Sequence, residues 1–336
     1  MFTKFIEVLG TGRVSICARL GWLVCVDGST AGFCSYPGQA GPTMIEDFLF
    51  NTMYLLYLIP KNLVSYLTGW LVRLKLPKIL QGYLNGAFVR GFSINMSEAE
   101  KSLEDYASLE ELFTRGLKDR SRFITGGYVS SADGRLVVSR ALGLGEDAVQ
   151  AKGLTYKIQD LTYGKGSSSS APMNPAWYTT VYLAPHNYHR VHAPFTGTLT
   201  VLRHIPGELW PVNNSAVGFI PRLFVRNERL VFDFELADGA RAWVVMVGAL
   251  NVGRMMTRFR ADLVTNSLNR QLSWSMASRE VPPTHGPIEV KVGDELGVFM
   301  LGSTTIVILD QKAVSILNPK EFSSGQLIRM GESLSV

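Results

Sequence analysis

The chain has 336 residues and a formal charge of +5 at pH 7, long enough to bury a full core without covalent staples. Its three cysteines, Cys17, Cys25 and Cys34, form no C-x-x-C pair and have no histidine near them, which argues against a zinc knuckle or a disulfide framework and for reduced thiols in a cytosol-facing protein. No dense basic stripe or reading element accompanies the charge, so nucleic acid is not an expected partner.

Residues 1–42 are Gly-rich and weakly strand-like, an N-terminal extension with no assigned role, and Glu7 interrupts them too early for a secretory signal. Residues 43–122 are expected to form a helical membrane-association region. Leucines and aromatic residues fill Phe48 to Leu80, broken by Pro60 and Pro77, and no charge-free run reaches the roughly 18 residues a membrane span needs. Residues 1–92 hold eight basic and four acidic side chains, a net of +4, and Lys61, Arg73, Lys75, Lys78 and Arg90 follow one another without an acid between. The pattern predicts short amphipathic helices lying in the headgroup plane of an anionic bilayer; a span or soluble core helices are the alternatives for the same segment. Ser97 to Glu100 and Ser108 to Glu111 have capping-box spacing, predicting helices over 98–105 and 109–117.

After Arg122 the texture changes to short runs of Val, Ile, Leu, Tyr and Trp punctuated by Gly, Pro and Asn. Strands are predicted over 177–183, 198–202, 229–236, 241–247, 296–301 and 305–309. The expected fold class is α+β, a β-rich catalytic core over 123–336 preceded by the short N-terminal amphipathic membrane-facing helices. The tract Ser167 to Ser170 reads as an inserted loop.

Three polar islands interrupt the apolar texture: Ala132-Asp133-Gly134, Tyr188-His189-Arg190-Val191-His192, and Leu301-Gly302-Ser303-Thr304. A Gly-Ser bond can undergo an N-to-O acyl shift when the hydroxyl is aimed at the preceding carbonyl, and glycine leaves that approach open. Elimination of the resulting ester leaves dehydroalanine, whose hydrolysis releases ammonia and yields a pyruvoyl group. Such chemistry needs a base, a carboxylate to orient it and donors for the oxyanion, and Asp133, His192 and Ser303 can fill the side-chain roles. Each island also has an ordinary reading. Gly-Ser-Thr is usually an edge or turn and Asp-Gly a turn pair, and two histidines at i,i+3 could sit on one helical face as metal ligands, but no third ligand is evident and no metal is expected. His186, His204 and His285 read as structural. Leu142 to Ala148 matches G-x-G-x-x-A without the strand and helix context of a dinucleotide site, and no G-x-S-x-G elbow is present.

Read in order, these islands closely resemble phosphatidylserine decarboxylases, the membrane-associated pyruvoyl enzymes. The resemblance runs from about Tyr57 onward and rests on Glu111-Leu112-Phe113-Thr114-Arg115-Gly116-Leu117-Lys118, Ser130 to Gly134, Gln150 to Gly153, Tyr188 to Pro194, Pro206 to Leu209, Phe224 to Arg229 and Leu301 to Thr304. It implies a proenzyme in which Asp133, His192 and Ser303 form the maturation triad, cut between Gly302 and Ser303 into associated chains of residues 1–302 and 303–336. Ser303 would become the covalent pyruvoyl cofactor, His189 would serve decarboxylation, and Tyr188, Arg190 and residues 224–229 would line or support the pocket. The implied reaction converts phosphatidylserine in an anionic membrane to phosphatidylethanolamine and carbon dioxide, in phospholipid biosynthesis, at the cytoplasmic face of a bacterial cell membrane as a peripheral protein; homo-oligomers are compatible with it. The family usually has proline where this chain has Ser131. A pyruvoyl decarboxylase of a soluble amino acid, or an uncleaved membrane scaffold without enzymology, are the rival readings.

Overall fold

The computed structural model describes residues 59–336, apart from 144, 152, 165–173, 252–253, 264, 267–278, 285 and 301–302, together with four strands ahead of residue 59. The chain divides into two compact units, Met1–Leu58 and Ile59–Val336. In the first, β1 (Ile6–Leu9), β2 (Arg13–Ala18), β3 (Trp22–Asp27) and β4 (Thr30–Cys34) pair in sequence order as an antiparallel meander. The weak strand character of this stretch thus becomes a sheet of its own, with one cysteine on each of β2, β3 and β4. Residues 43–58, the serine tract 167–170 and His285 lie outside the described residues.

The second unit begins with two helices, α1 (Lys61–Val72) and α2 (Lys78–Phe92). Pro60 and Pro77 each stand immediately before a helix, where a missing N–H removes no intrahelical bond. The helices pack inside out. Their buried residues are small, polar or charged, Lys61, Ser65 and Gly69 on α1 and Gln81, Asn85 and Gly86 on α2. Asn85 Nδ2 donates to the Tyr106 carbonyl at 3.0 Å and Asn85 Oδ1 accepts from Gln81 Nε2 at 2.8 Å; Asn62 reaches the Gly207 carbonyl, and Ser65 Oγ accepts from the Asn251 N–H. With the polar stripe turned inward, Leu63, Leu67, Trp70, Leu71 and Tyr83 face outward and Ile79 is 92% exposed.

The Ser108 half of the second capping box forms as predicted, Ser108 Oγ accepting from the Glu111 N–H at the start of α3 (Leu109–Phe113), while the Glu111 carboxylate takes the Ala107 N–H one residue earlier. This helix is shorter than expected, because the chain beyond it turns to pair with residues 99–100, Glu100 N–H donating to the Gly116 carbonyl. The first box does not cap. The Ser97 hydroxyl donates to Asn95 instead, and 98–105 holds only a 3-10 turn at Leu103–Asp105.

A nine-stranded antiparallel sheet forms the core. It uses β5 (Gly134–Ala141), followed in the chain by the separate hairpin β6 (Ala148–Ala151) and β7 (Leu154–Tyr156), then β8 (Pro175–Leu183). Next come β9 (Arg190–His192), β10 (Gly197–Ile205), β11 (Arg229–Glu235), β12 (Arg241–Val247) and β13 (Met255–Thr257). The last are β14 (Arg279–Val281), β15 (Ile288–Val290), β16 (Glu295–Phe299), β17 (Ser303–Asp310) and β18 (Leu327–Ile328). Its order is β14-β10-β11-β12-β17-β8-β5-β18, with β15 also on β10, while β13, β16 and β9 make a small second sheet. The run Ser303-Thr-Thr-Ile-Val-Ile-Leu309 is buried throughout, as an interior strand of β-branched and apolar residues covered on both faces should be. The expected α+β class with a β-rich core is what the chain adopts.

Candidate active site

Ser303 opens β17, opposite Leu183 of β8. Its side chain is fully buried, and Oγ makes no hydrogen bond, a costly state for a hydroxyl. A cavity of about 280 Å³ lies against it, with walls that include Phe88 and Phe92 of α2, Phe113 of α3, Pro185 and Val212. Asn213 and Asn251 add polar edges. Gly302 lies outside the described residues. A buried, unpartnered hydroxyl at the head of an interior strand, facing a mostly apolar cavity, suits a group that is to be chemically converted there rather than one that holds the fold together.

His189 and His192 stand on either side of Arg190, not on a helix: β9 is a strand, so the helical i,i+3 face considered for metal does not exist. His189 is fully buried, its ring 3.9 Å from that of Phe113, and neither nitrogen makes a well-formed hydrogen bond. Burial, and secondarily the charge of Arg115, pushes its pKa down to about 3. Arg115 Nη2 in turn donates to the His186 carbonyl at 3.1 Å, bracing the turn that leads into His189.

His192 has both ring nitrogens engaged. Nδ1 lies 2.8 Å from the Gly293 carbonyl and Nε2 lies 3.1 Å from the Tyr188 hydroxyl. A carbonyl only accepts, so Nδ1 carries the proton and Nε2 is the bare, basic nitrogen accepting from Tyr188. Gly293 has φ +89°, a conformation that glycine adopts without strain, and its carbonyl thereby fixes the tautomer. Burial lowers the His192 pKa, partly offset by the Gly293 carbonyl.

Asp133 is buried and receives three donors: Arg122 Nε at 2.9 Å, Arg122 Nη2, and the Met330 N–H at 2.8 Å. Arg122 also pairs with Glu98. Burial works against the Arg122 charge, but the bonds to Asp133 and Glu98 outweigh it and raise its pKa. Gly134 follows because β5 crosses β8 here, and a Cβ would overlap the Tyr182 carbonyl oxygen. A second, polar cavity of about 310 Å³ opens beside Asp133, Arg115 and Tyr188.

The acid, base and hydroxyl anticipated from the sequence therefore sit on segments that meet, although no hydrogen bond links Asp133 to His192 or His192 to Ser303. The contact between the segments runs through Ser131, whose carbonyl accepts from the His192 N–H at 2.8 Å and whose hydroxyl donates to Thr305 at 3.0 Å. Sequence reasoning missed the aromatic wall of Phe88, Phe92 and Phe113, for which the i,i+4 spacing of the first two was the available signal. It also missed Gly293, whose contribution is a backbone carbonyl and leaves no side-chain trace.

A family model described as phosphatidylserine decarboxylase matches residues 109–335. The phosphatidylserine decarboxylase proenzyme of Alcanivorax borkumensis is 36% identical over 272 residues, 80% of this chain and 89% of its own. That of Myxococcus xanthus is 35% identical over 288 residues, 84% and 97%, and that of Bordetella pertussis 36% over 288 residues, 83% and 92%.

Proposed function

As a member of the phosphatidylserine decarboxylase family, to which this chain belongs, the protein is a self-processing, pyruvoyl-dependent decarboxylase that converts phosphatidylserine to phosphatidylethanolamine, and we propose that Ser303, His192, Asp133 and His189 are the residues that do so. The observation that carries the assignment is the buried, unpartnered Ser303 Oγ at the cavity wall.

In maturation, His192 Nε2 turns from Tyr188 and takes the Ser303 Oγ proton. Oγ bonds to the Gly302 carbonyl carbon, the peptide C–N bond breaks, and the nitrogen takes a proton, leaving an ester and a free amine. Removal of the Ser303 α-proton then expels the Gly302 carboxylate, and hydrolysis releases ammonia. Asp133, held by Arg122 and the Met330 N–H, anchors the loop whose Ser131 carbonyl holds the His192 backbone. The Gly293 carbonyl stabilises the imidazolium formed in the first step, a task a carboxylate performs in serine-protease triads.

The residues around Ser303 suit a pyruvoyl group, which supplies an electrophilic carbonyl and an electron sink for loss of carbon dioxide. The aromatic wall excludes water from that position. His189, kept neutral by burial, holds a proton for the substrate α-carbon, and an anionic headgroup arriving nearby favours its charged form.

The 43–122 region is the membrane-association segment and 123–336 the catalytic domain. Among the described residues no helix is long and apolar enough to cross a membrane. The outward leucines, Trp70 and Ile79, flanked by Arg73, Lys75, Lys78 and Arg90, favour a peripheral seat on an anionic leaflet, at the cytoplasmic face. Phe88 and Phe92 of α2 also wall the Ser303 cavity, so the same helix would meet the lipid surface and the headgroup site. Intact mass of wild-type protein beside Ser303→Ala tests the core of the reading. Two chains split after Gly302 in the wild type only, the smaller lacking one ammonia, are expected; a single full-length mass for the wild type would overturn it.

A further inference from the structure

The base-bearing and hydroxyl-bearing strands belong to different sheets. His192 lies on β9 of the three-stranded sheet and Ser303 on β17 of the nine-stranded one, so no ladder of backbone bonds fixes one against the other. Ser131 bridges them. Its carbonyl accepts from the His192 N–H at 2.8 Å, and its hydroxyl donates to Thr305 Oγ1 at 3.0 Å. Thr305 is two residues beyond Ser303 on β17, so the two side chains share one face of the strand. Both members of the hydroxyl pair are essentially inaccessible, Ser131 at 1% and Thr305 at 0% exposure, where a hydrogen bond is not weakened by competing water.

Ser131 is itself held from the far side. The Ser130 N–H donates to the Glu332 carbonyl and the Gly331 N–H to the Ser130 carbonyl, while Asp133 is fixed by Arg122 and Met330. The loop is thus held at both ends, and the hydroxyl bond is its direct side-chain link to β17, beside the longer backbone route through β5 and β8.

We propose that Ser131 is a positioning residue for self-cleavage, its carbonyl and its hydroxyl together setting the His192 strand against the Ser303 strand so that the base can reach Oγ. The proposal rests on the maturation chemistry assigned above. Ser131 touches none of the reacting atoms and takes no proton; it acts by geometry, to which attack trajectories are sensitive.

The test follows cleavage with time, by intact mass after pulse synthesis of the full chain, in the wild type, Ser131→Ala, Thr305→Val, Thr305→Ser and the Ser131→Ala/Thr305→Val double variant. Removing either hydroxyl is expected to slow cleavage about tenfold, the rate equivalent of one buried neutral hydrogen bond. Because both changes delete the same bond, the double variant should be no slower than the slower single, and Thr305→Ser, which keeps the hydroxyl, should cleave near the wild-type rate. Thermal melting of each uncleaved chain checks that folding survives. If Ser131→Ala does not fold, the contrast between the near-isosteric Thr305→Val and Thr305→Ser decides the matter alone. Wild-type rates in Ser131→Ala or Thr305→Val, a multiplicative double variant, or a Thr305→Ser as slow as Thr305→Val would each overturn the positioning role while leaving the maturation reading intact. A wild-type chain that never cuts would overturn both.

Discussion

The Phe113 and His189 rings lie 3.9 Å apart, centroid to centroid, at an interplanar angle of 34°. Phe113 meets Phe88 edge-on at 6.3 Å, and Phe88 lies 4.7 Å from Phe92, so an aromatic run leads from the exposed end of α2 to a buried imidazole. Replacing Phe113 by Leu should admit water to His189 and raise its pKa. Decarboxylation by the matured protein is then expected to lose about tenfold in kcat with little change in KM, and its imidazole limb should move to higher pH; stability should fall by about 1–3 kcal/mol. An unchanged pH profile would detach Phe113 from the function of His189.

Burial of His189 also makes stability depend on pH. With a folded-state pKa of about 3 against 6.5 for a free imidazole, the unfolded chain binds a proton across that window that the folded chain refuses. Stability is therefore full above pH 6.5 and declines as pH falls toward 3, by at most about 1.4 kcal/mol per pH unit. In His189→Gln the difference in urea midpoint between pH 7 and pH 5 should shrink. It should not vanish, because burial shifts His192 in the same direction.

Tyr188 donates to the bare Nε2 of His192 and so favours the neutral ring. Tyr188→Phe removes that donor, and the pKa of His192 should rise. Self-cleavage, with His192 as its base as proposed, should then lose rate below a midpoint displaced to higher pH and match the wild type well above it. Cleavage rates measured across pH 5 to 8 check the sign; a midpoint displaced downward would contradict the tautomer assigned from Gly293.

Trp70 and Ile79 are 52% and 92% exposed. Replacing both by Glu should leave the melting temperature almost unchanged while weakening co-sedimentation with phosphatidylserine-containing vesicles, since each inserted side chain contributes about 1.5–3 kcal/mol. For the wild type, raising ionic strength should weaken binding through the screened basic residues without abolishing it. Complete release by salt alone would rule out apolar insertion.

Features carried by local pattern were legible in the sequence. The run that became β17, the cap at Ser108 and the three polar islands each declare themselves through residues close together in the chain. Ser97 to Glu100 had the same spacing as the working cap yet failed, because Asn95 offered the Ser97 hydroxyl a nearer acceptor. The amphipathic character of α1 and α2 was visible, but the burial of Ser65 and Asn85 depends on their partners Asn251 and Tyr106, from segments that the pattern does not link. The Ser303 cavity is likewise assembled from walls as distant as Phe88 and Asn251. No window of sequence contains it.

The placement of β17 governs the order of events in the life of the molecule. It is bonded along its length to β12 on one side and β8 on the other, so a cut before Ser303 would free one end of a strand that cannot leave without opening the middle of the sheet. The bond proposed to be cut is also the tether that makes closure of that sheet an intramolecular event. Severed early, the 303–336 segment would have to find its slot by diffusion, against the loss of freedom that any two-body association entails. Severed late, it stays where it was threaded, and heat or denaturant would undo an arrangement that the separated pieces have no efficient way to rebuild. With the cut placed as proposed, the peptide link at Gly302 would act as a scaffold needed for assembly and dispensable afterwards, and the durability of the mature protein would be set by how slowly the sheet opens.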